Sequence, residues 1–187
     1  MITELETINK MLSASGLAPV ADANTQHPYY RKGRLKLNEV SRIVQSAGHW
    51  FNTSTQTLIP TVDGSVYVPN QAVHVNTTES SDSQIVIRGS RMYDLEGRTY
   101  TISRELPVHM VELLPFNELP APAADYIAAR AVHEFYLEQG GQEPKLSEFR
   151  GIRQVAEIEF KKERVKNHRP LQPTYTRSRS RGLLPLH

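Results

Sequence analysis

The sequence predicts an α+β fold, in which a bundle of about four helices carries a β-rich insertion between the second and third helices. Apolar residues recur every three or four positions within 1–52 and 115–168, as expected of helices. Within 53–114 the period falls to two, and turn residues separate short β-favouring segments. We therefore expect one domain over 1–168, followed by an extended basic C-terminal arm over 169–187.

The strongest helical pattern lies between Pro28 and Gly48. Pro28 suits a first helical turn, and Gly48 suits a left-handed cap. The apolar face steps by three and four through Tyr30, Gly33, Leu37, Val40, Val44 and Ala47. The opposite face, which suits solvent or a polar partner, carries Arg31, Arg34, Asn38, Arg42 and Gln45.

Two large aromatic residues, Trp50 and Phe51, follow this helix directly. Such a pair could stack a sugar or a base, but large aromatic side chains more often fill a core. We predict that Trp50 and Phe51 form a structural plug at the end of the helical core.

Three further helices are predicted, over 3–14, 123–139 and 144–167. Thr3 and Glu6 have the spacing of a capping box at the start of the first helix. The third helix presents small residues on one face and ends at Gly140; that face comprises Ala124, Ile127, Ala128, Ala131 and Phe135. The apolar face predicted for the fourth helix comprises Phe149, Ile152, Val155, Ala156 and Phe160.

The insertion contains seven candidate strands separated by turn signals such as Asp63-Gly64 and Glu96-Gly97. These candidates are 56–59, 65–68, 72–75, 84–88, 91–94, 99–103 and 108–114. We expect 91–94 and 99–103 to form a hairpin across 95–98.

Charge is unevenly distributed along the 187 residues, although the net charge is only +2. From residue 161 onwards there are eight basic residues against one acidic residue, a local charge of +7. The preceding 160 residues carry 14 basic and 19 acidic residues, a charge of −5. The protein therefore combines an acidic body with a basic arm.

Several function classes are disfavoured by the absence of their motifs. The chain has no cysteine, no phosphate-binding glycine loop, no Gly-x-Ser-x-Gly elbow and no apolar run of about 20 residues that could cross a bilayer. The acidic start does not resemble a signal peptide. No pair among the seven histidines has metal-ligand spacing, so we expect each to be hydrogen-bonded or exposed.

Catalysis is not indicated by the carboxylates either. Asp82, Asp94 and Glu105 could supply a glycosidase pair, but any acidic β region would offer as many candidates. We therefore predict no enzymatic activity, no catalytic or metal site and no cofactor.

The C-terminal arm is the most distinctive feature for partner binding. It combines alternating arginines with prolines and an apolar end, so it is either a solubilising tail or an anchor on an acidic surface. The apolar end favours a protein groove over nucleic acid. The residues predicted to bind a partner are Arg169, Tyr175, Arg177, Arg179, Arg181, Leu183, Leu184 and Leu186.

The order of several segments resembles the tail tubular protein A family, the adaptor or gatekeeper proteins of short-tailed bacteriophages. The matching segments are 8–20 (INKMLSASGLAPV), 37–52 (LNEVSRIVQSAGHWFN), 57–60 (TLIP), 64–75 (GSVYVPNQAVHV), 91–98 (RMYDLEGR) and 108–136. Each is weak alone, but their order and spacing are specific, and the resemblance covers about residues 1–167.

The resemblance implies a virion protein of the tail that is present in the host cytoplasm during assembly. It implies a homo-oligomeric ring, dodecameric as a rule, between the portal protein and the nozzle, tail tubular protein B. Such a head-tail connector helps to retain genomic DNA, passes it at ejection and offers a docking surface for tail fibres. The arm would then contact the portal or a neighbouring subunit.

Two other functions remain open at this point. One is a tail-associated glycan hydrolase that uses two carboxylates. The other is a DNA-binding head-completion factor that acts through the basic arm.

Overall fold

The computed structural model describes residues 2–23, 27–78 and 84–167. Its helices are α1 (Glu4–Ala14), α2 (Pro28–Gln45), α3 (Ala121–Glu138) and α4 (Lys145–Asn167), with a short 3-10 helix at Phe116–Glu118. Its strands are β1 (Thr53–Leu58), β2 (Ala72–Thr77), β3 (Ile85–Arg88), β4 (Arg91–Asp94) and β5 (Leu106–Glu112). The predicted α+β fold, with the β region between the second and third helices, is confirmed.

The N-terminus of α1 carries the predicted capping box. The backbone N–H of Glu6 donates to Thr3 Oγ1 at 3.2 Å, and the Thr3 N–H donates to Glu6 Oε2 at 2.8 Å. Two N–H groups that have no partner within the helix are thereby satisfied, which fixes where α1 begins.

Helix α2 packs closely on α1 through Gly33. A Cβ atom at this position would lie 3.0 Å from Ile8 Cγ2 and 3.5 Å from Met11 Sδ, so any side chain would force Ile8 to shift. The predicted face of α2 is buried as far as Val44, but Ala47 is exposed because the helix already ends at Gln45. Gly48 adopts φ +68, as expected for a left-handed cap.

Helix α3 is the centre of the bundle, since it packs against α1, α2 and α4. Its predicted face is buried along its whole length, from Ala124 through Ile127 and Ala131 to Phe135. The alanines allow neighbouring helices to approach closely, which explains how one helix contacts three others.

Helix α4 departs from its predicted face. Phe160 is buried and Phe149 and Ala156 are half-buried, but Ile152 and Val155 are 50% and 63% exposed. Within the described part of the chain, the extensive contacts of α4 are all with α3, so only one narrow side of the helix is covered. Two residues of the predicted apolar face, Ile152 and Val155, are therefore outside the core.

The β region forms a three-stranded antiparallel sheet and a separate two-stranded hairpin. Strand β5 lies at the centre of the sheet, between β1 and β2, and Met110 pairs with Ser54 on one side and Val75 on the other. Segments 65–68 and 99–103 make only isolated bridges and are not strands.

The predicted hairpin of 91–94 with 99–103 is wrong, because β4 pairs with β3 instead. Gly89, at φ +62, allows the tight connection between Arg88 and Arg91. On the other side of β4, Asp94 Oδ1 accepts hydrogen bonds from the N–H groups of Glu96 and Gly97. After this turn, β4 and the predicted strand 99–103 are joined only by an isolated bridge between Asp94 and Thr99.

Two hydrophobic clusters organise the molecule. The larger lies among the four helices and includes Ile8, Leu37, Ile127 and Phe135. The smaller belongs to the β region and includes Met92 and Met110. Within residues 2–23, 27–78 and 84–167, no helix has the length and apolarity needed to cross a membrane.

Candidate junction and assembly surfaces

A buried polar junction joins the helical bundle to the sheet, and Gln45 is its first element. Gln45 is fully buried at the end of α2. Its side chain accepts a hydrogen bond from Leu114 N at 2.8 Å and donates to Leu114 O at 3.0 Å and Ser41 Oγ at 2.9 Å. The amide thus ties α2 to the segment that leaves β5.

Asn52 is the second element of this junction. Its Nδ2 donates to the carbonyl oxygens of Gln45 and Glu112 at 3.0 and 2.8 Å, and its Oδ1 accepts from His49 N at 2.8 Å. His49 is itself buried, with Nε2 2.8 Å from the Val44 carbonyl oxygen. Together these bonds fix the course of the chain from α2 into β1.

The sequence assigns Gln45 to the polar face of α2 and does not single out Asn52. Their position at the end of α2 is a sequence signal that could have identified them, because the last carbonyl groups of a helix need hydrogen-bond donors. Which carbonyls they reach, those of Glu112 and Leu114, depends on a segment some 60–69 residues later.

Trp50 and Phe51 lie at the same end of α2, half-buried against the helical core. Their ring centroids are 5.1 Å apart in an edge-to-face arrangement, and Trp50 lies 5.7 Å from Phe160 of α4. Phe160 in turn stacks on Tyr126 of α3 at 5.4 Å. The aromatic pair therefore contacts α4 through Phe160. Its role as a plug of the helical core stays a prediction.

The predicted partner-binding residues of the arm lie outside the described residues. These residues are Arg169, Tyr175, Arg177, Arg179, Arg181, Leu183, Leu184 and Leu186. Their role stays a prediction.

The carboxylates considered for catalysis do not form a described pair. Asp94 caps the turn after β4, Glu105 is exposed, and Asp82 lies outside the described residues. Within the described ranges, no three His, Asp or Glu side chains cluster as a metal site.

His133 on α3 departs from the expectation that each histidine is hydrogen-bonded or exposed. It is buried between α3 and α4, and neither ring nitrogen has a hydrogen-bond partner among the described residues. Burial, together with the positive charges of Arg153 and Arg150, lowers the pKa of His133 below its ordinary value. The neutral ring is therefore the form that fits this site.

Lys36 is a buried cation that ties α2 to α3. Its Nζ lies 2.5 Å from Glu39 Oε2 and 2.6 Å from Glu138 Oε1. Burial opposes its charge, but the hydrogen bonds to the two carboxylates outweigh burial and raise the pKa of Lys36. The ammonium group is thus satisfied within the chain.

Two helices expose several apolar side chains on their outer faces. On α2 they are Leu35 and Ile43, and on α4 they are Ile152, Val155, Ile158 and Val165. Apolar residues grouped on one face of a helix are typical of surfaces that another protein covers. These two faces are the candidate assembly surfaces.

The family of the chain follows from comparison with known proteins. A sequence model described as "tail tubular protein" matches residues 5–170, which include both sheets and all of the helices except the first residue of α1. The chain belongs to the tail tubular protein family. It is also similar to tail tubular protein A of Klebsiella phage KP34, with 33% identity over 138 residues that span 74% of each chain.

Membership makes the chain a structural protein of a bacteriophage tail. The family and this relative are both structural tail tubular proteins. The resemblance noted in the sequence is thereby confirmed.

Proposed function

We propose that this tail tubular protein is the adaptor of a phage tail, a ring that joins the portal protein to the nozzle. One structural observation supports this proposal most directly. The outer faces of α2 and α4 expose apolar side chains that the described part of the chain leaves uncovered. A protein that functions in an assembly needs such surfaces.

A ring is the assembly that these surfaces favour. Closed rings arise when one patch on each subunit meets a different patch on the next. Helices α2 and α4 both pack on α3, and their outer faces differ in sequence and charge. Two unlike faces on one subunit suit such contacts, and we propose a dodecameric ring, as the family resemblance implies.

The charge distribution suits passage of DNA through the ring. Residues 1–160 carry a net charge of −5, so a lumen lined by them would not grip phosphates. The adaptor would thus support head-to-tail assembly, retain packaged DNA and let it pass at ejection. Its other partners in the virion would be tail tubular protein B, at the nozzle, and the tail fibres.

The basic arm is the proposed anchor on the portal or on a neighbouring subunit. Its arginines alternate with serines at 177–181, so in an extended strand they would project on one side towards acidic groups. Assembly of this kind would take place in the host cytoplasm, before the tail is complete.

The test is to measure assembly with and without the cognate portal. Purified protein is mixed with portal rings, and the mass of the complex is measured by native mass spectrometry and analytical ultracentrifugation. We expect a discrete ring of this chain on each portal, with tail tubular protein B added only after that ring. If the chain stays monomeric with portal present at micromolar concentrations, the adaptor proposal is wrong.

A further inference from the structure

The outer face of α2 combines exposed apolar residues with unpaired positive charge. Leu35 is 70% exposed and Ile43 is 48% exposed. Arg31, Lys32 and Arg42 flank them, are exposed and have no ion-pair partner in the described part of the chain. We call these five residues the basic ridge.

The face carries a single carboxylate. Glu39 lies between Leu35 and Ile43 in the helix, and its carboxylate is 2.5 Å from Lys36 Nζ, which also pairs with Glu138. The basic ridge therefore presents three cations and two apolar side chains to the exterior.

A groove of about 650 Å³ between α3 and α4 has the opposite charge. Its apolar part includes the exposed side chains of Ile152 and Val155. Its acidic residues are Asp125, Glu148 and Glu159, of which Glu159 pairs with Lys162 at 2.6 Å. No lysine, arginine or histidine lines the groove itself. We call these five residues the acidic groove.

The acidic groove leaves part of the α4 backbone uncovered. A Cβ atom added at Gly151, which also lines the groove, would meet nothing within 4 Å, so the backbone of α4 is accessible there. Bare backbone of this kind allows another helix to approach closely. Asp125 and Glu148 have no ion-pair partner among the described residues, so their charges are available.

The basic ridge and the acidic groove lie on different parts of the bundle. Helix α3 packs against both α2 and α4, and α2 turns its Gly33 side towards α1. The residues of the basic ridge lie on the side of α2 opposite Gly33, Leu37 and Val44. Because the two complementary patches lie on separate helices, each subunit can bind one neighbour through the basic ridge and the other neighbour through the acidic groove at the same time.

We propose that the basic ridge of one copy packs into the acidic groove of the next copy in the ring. Leu35 and Ile43 would cover the apolar part of the groove. The three cations would face its two unpaired carboxylates, those of Asp125 and Glu148. An apolar centre with a charged rim is the usual anatomy of a protein interface, and the rim charges select the partner and its register. This inference rests on the proposed ring and specifies which surfaces close it.

Charge reversal on each side tests the contact. The ridge variant carries Arg31→Glu and Arg42→Glu, and the groove variant carries Asp125→Lys and Glu148→Lys. In either variant alone, like charges would meet at every contact. We expect each variant to keep its fold by circular dichroism and to lose the portal-bound ring in native mass spectrometry.

Mixing the two variants gives the decisive result. The reversed ridge of one variant would meet the reversed groove of the other, and the remaining contacts would be those of the wild type. We expect an equimolar mixture to recover rings in which the two variants alternate. A single chain that carries all four substitutions should also assemble.

Ionic strength provides a second readout. Screening weakens both attraction and repulsion at an exposed rim. Raising the salt concentration should therefore weaken assembly of the wild type and improve assembly of each reversed variant.

A matched control changes charges outside both surfaces. Arg164→Glu with Glu105→Lys alters one exposed residue of each sign, and neither residue has a described ion-pair partner. This variant should form rings as the wild type does.

The outcomes separate this inference from the adaptor proposal. If the wild type forms no ring on the portal, the adaptor proposal fails. If the wild type forms rings and the reversed variants do so equally well, or if their mixture does not recover, this contact is wrong while the adaptor proposal stands.

Discussion

Gly33 determines how closely α1 and α2 approach. The position lies 3.0 Å from Ile8 Cγ2 when a Cβ is added, so a larger side chain must push the two helices apart. Both helices belong to the main core, where there is little free volume to absorb such a shift.

We therefore expect Gly33→Leu to lower the free energy of unfolding by about 1–3 kcal/mol through overpacking. The matched control is Gly151→Leu on α4, where nothing lies within 4 Å of an added Cβ. That control should gain about 1 kcal/mol from helix propensity. Thermal and urea melts of both variants measure the difference, and equal effects would exclude a tight contact at Gly33.

His133 makes the stability of the α3–α4 pair depend on pH. Its pKa in the folded protein is lowered by burial and by Arg153 and Arg150, whereas in the unfolded chain it is about 6.5. Below pH about 6.5, His133 binds a proton in the unfolded chain but stays largely neutral in the folded protein, where its pKa is lower. The free energy of unfolding should therefore fall as the pH drops from 7 to 5, and the loss is complete below the folded-state pKa.

His133→Leu should reduce this dependence, because the leucine cannot bind a proton in either state. The measurement compares melting temperatures at pH 7 and pH 5 for the wild type and the variant. His109→Gln, at an exposed position on β5, is the control for the loss of an imidazole ring. A His133→Leu variant with the full pH dependence of the wild type would contradict this explanation.

The elements of the fold are joined by side chains at the end of α2. Gln45 and Asn52 satisfy backbone groups at the end of β5 and just after it, so they fix the bundle and the sheet in one relative orientation. Buried hydrogen bonds of this kind contribute modestly when made but cost more when one partner is left unsatisfied.

We expect Gln45→Ala to destabilise the fold by about 2–4 kcal/mol, because Leu114 would lose partners for both N–H and C=O and a cavity would remain. Gln154→Ala, on the exposed side of α4, is the control and should change stability by less than about 0.5 kcal/mol. Denaturant unfolding measures both, and limited proteolysis near residue 114 should become faster only in Gln45→Ala. If the two variants had equal free energies of unfolding, the hydrogen bonds of Gln45 would not stabilise the junction.

At the level of the whole molecule, folding and assembly are expected to depend on different parts of the chain. Among the described residues, the buried helical core extends as far as Phe160 of α4. Deletion after Arg169 should therefore leave the melting temperature nearly unchanged and weaken binding to the portal.

Two full-length variants separate the contributions of the arm. Substitution of Arg177, Arg179 and Arg181 by serine should reduce portal binding mainly at low salt, since exposed ion pairs are weak and screened. Substitution of Leu183, Leu184 and Leu186 by serine should reduce it at all salt concentrations. Sedimentation with portal rings measures both, and a truncated chain that binds portal as well as the full chain would show that the arm is not the anchor.

The sequence alone determined the helices, their caps and most of their buried faces. The capping box at Thr3, the cap at Gly48 and the buried face of α3 depend on residues close together in the chain, so local spacing was sufficient to predict them. The polar face of α2, which includes Arg31 and Arg42, was predicted in the same way. The sequence thus indicated the basic ridge, one side of the proposed contact between subunits, as part of a polar helix face. It did not indicate the acidic groove, which is the other side.

Tertiary structure decided which apolar faces are covered and which strands pair. The apolar spacing of α4 is genuine, but Ile152 and Val155 are exposed because α3 covers only one side of that helix. The hydrogen bonds that satisfy the buried Gln45 are made with Leu114, 69 residues away. Strand β4 has a turn on each side, and it pairs with β3 across the shorter one. Periodicity describes the geometry of one element, whereas burial and pairing depend on neighbours that only the folded chain brings together.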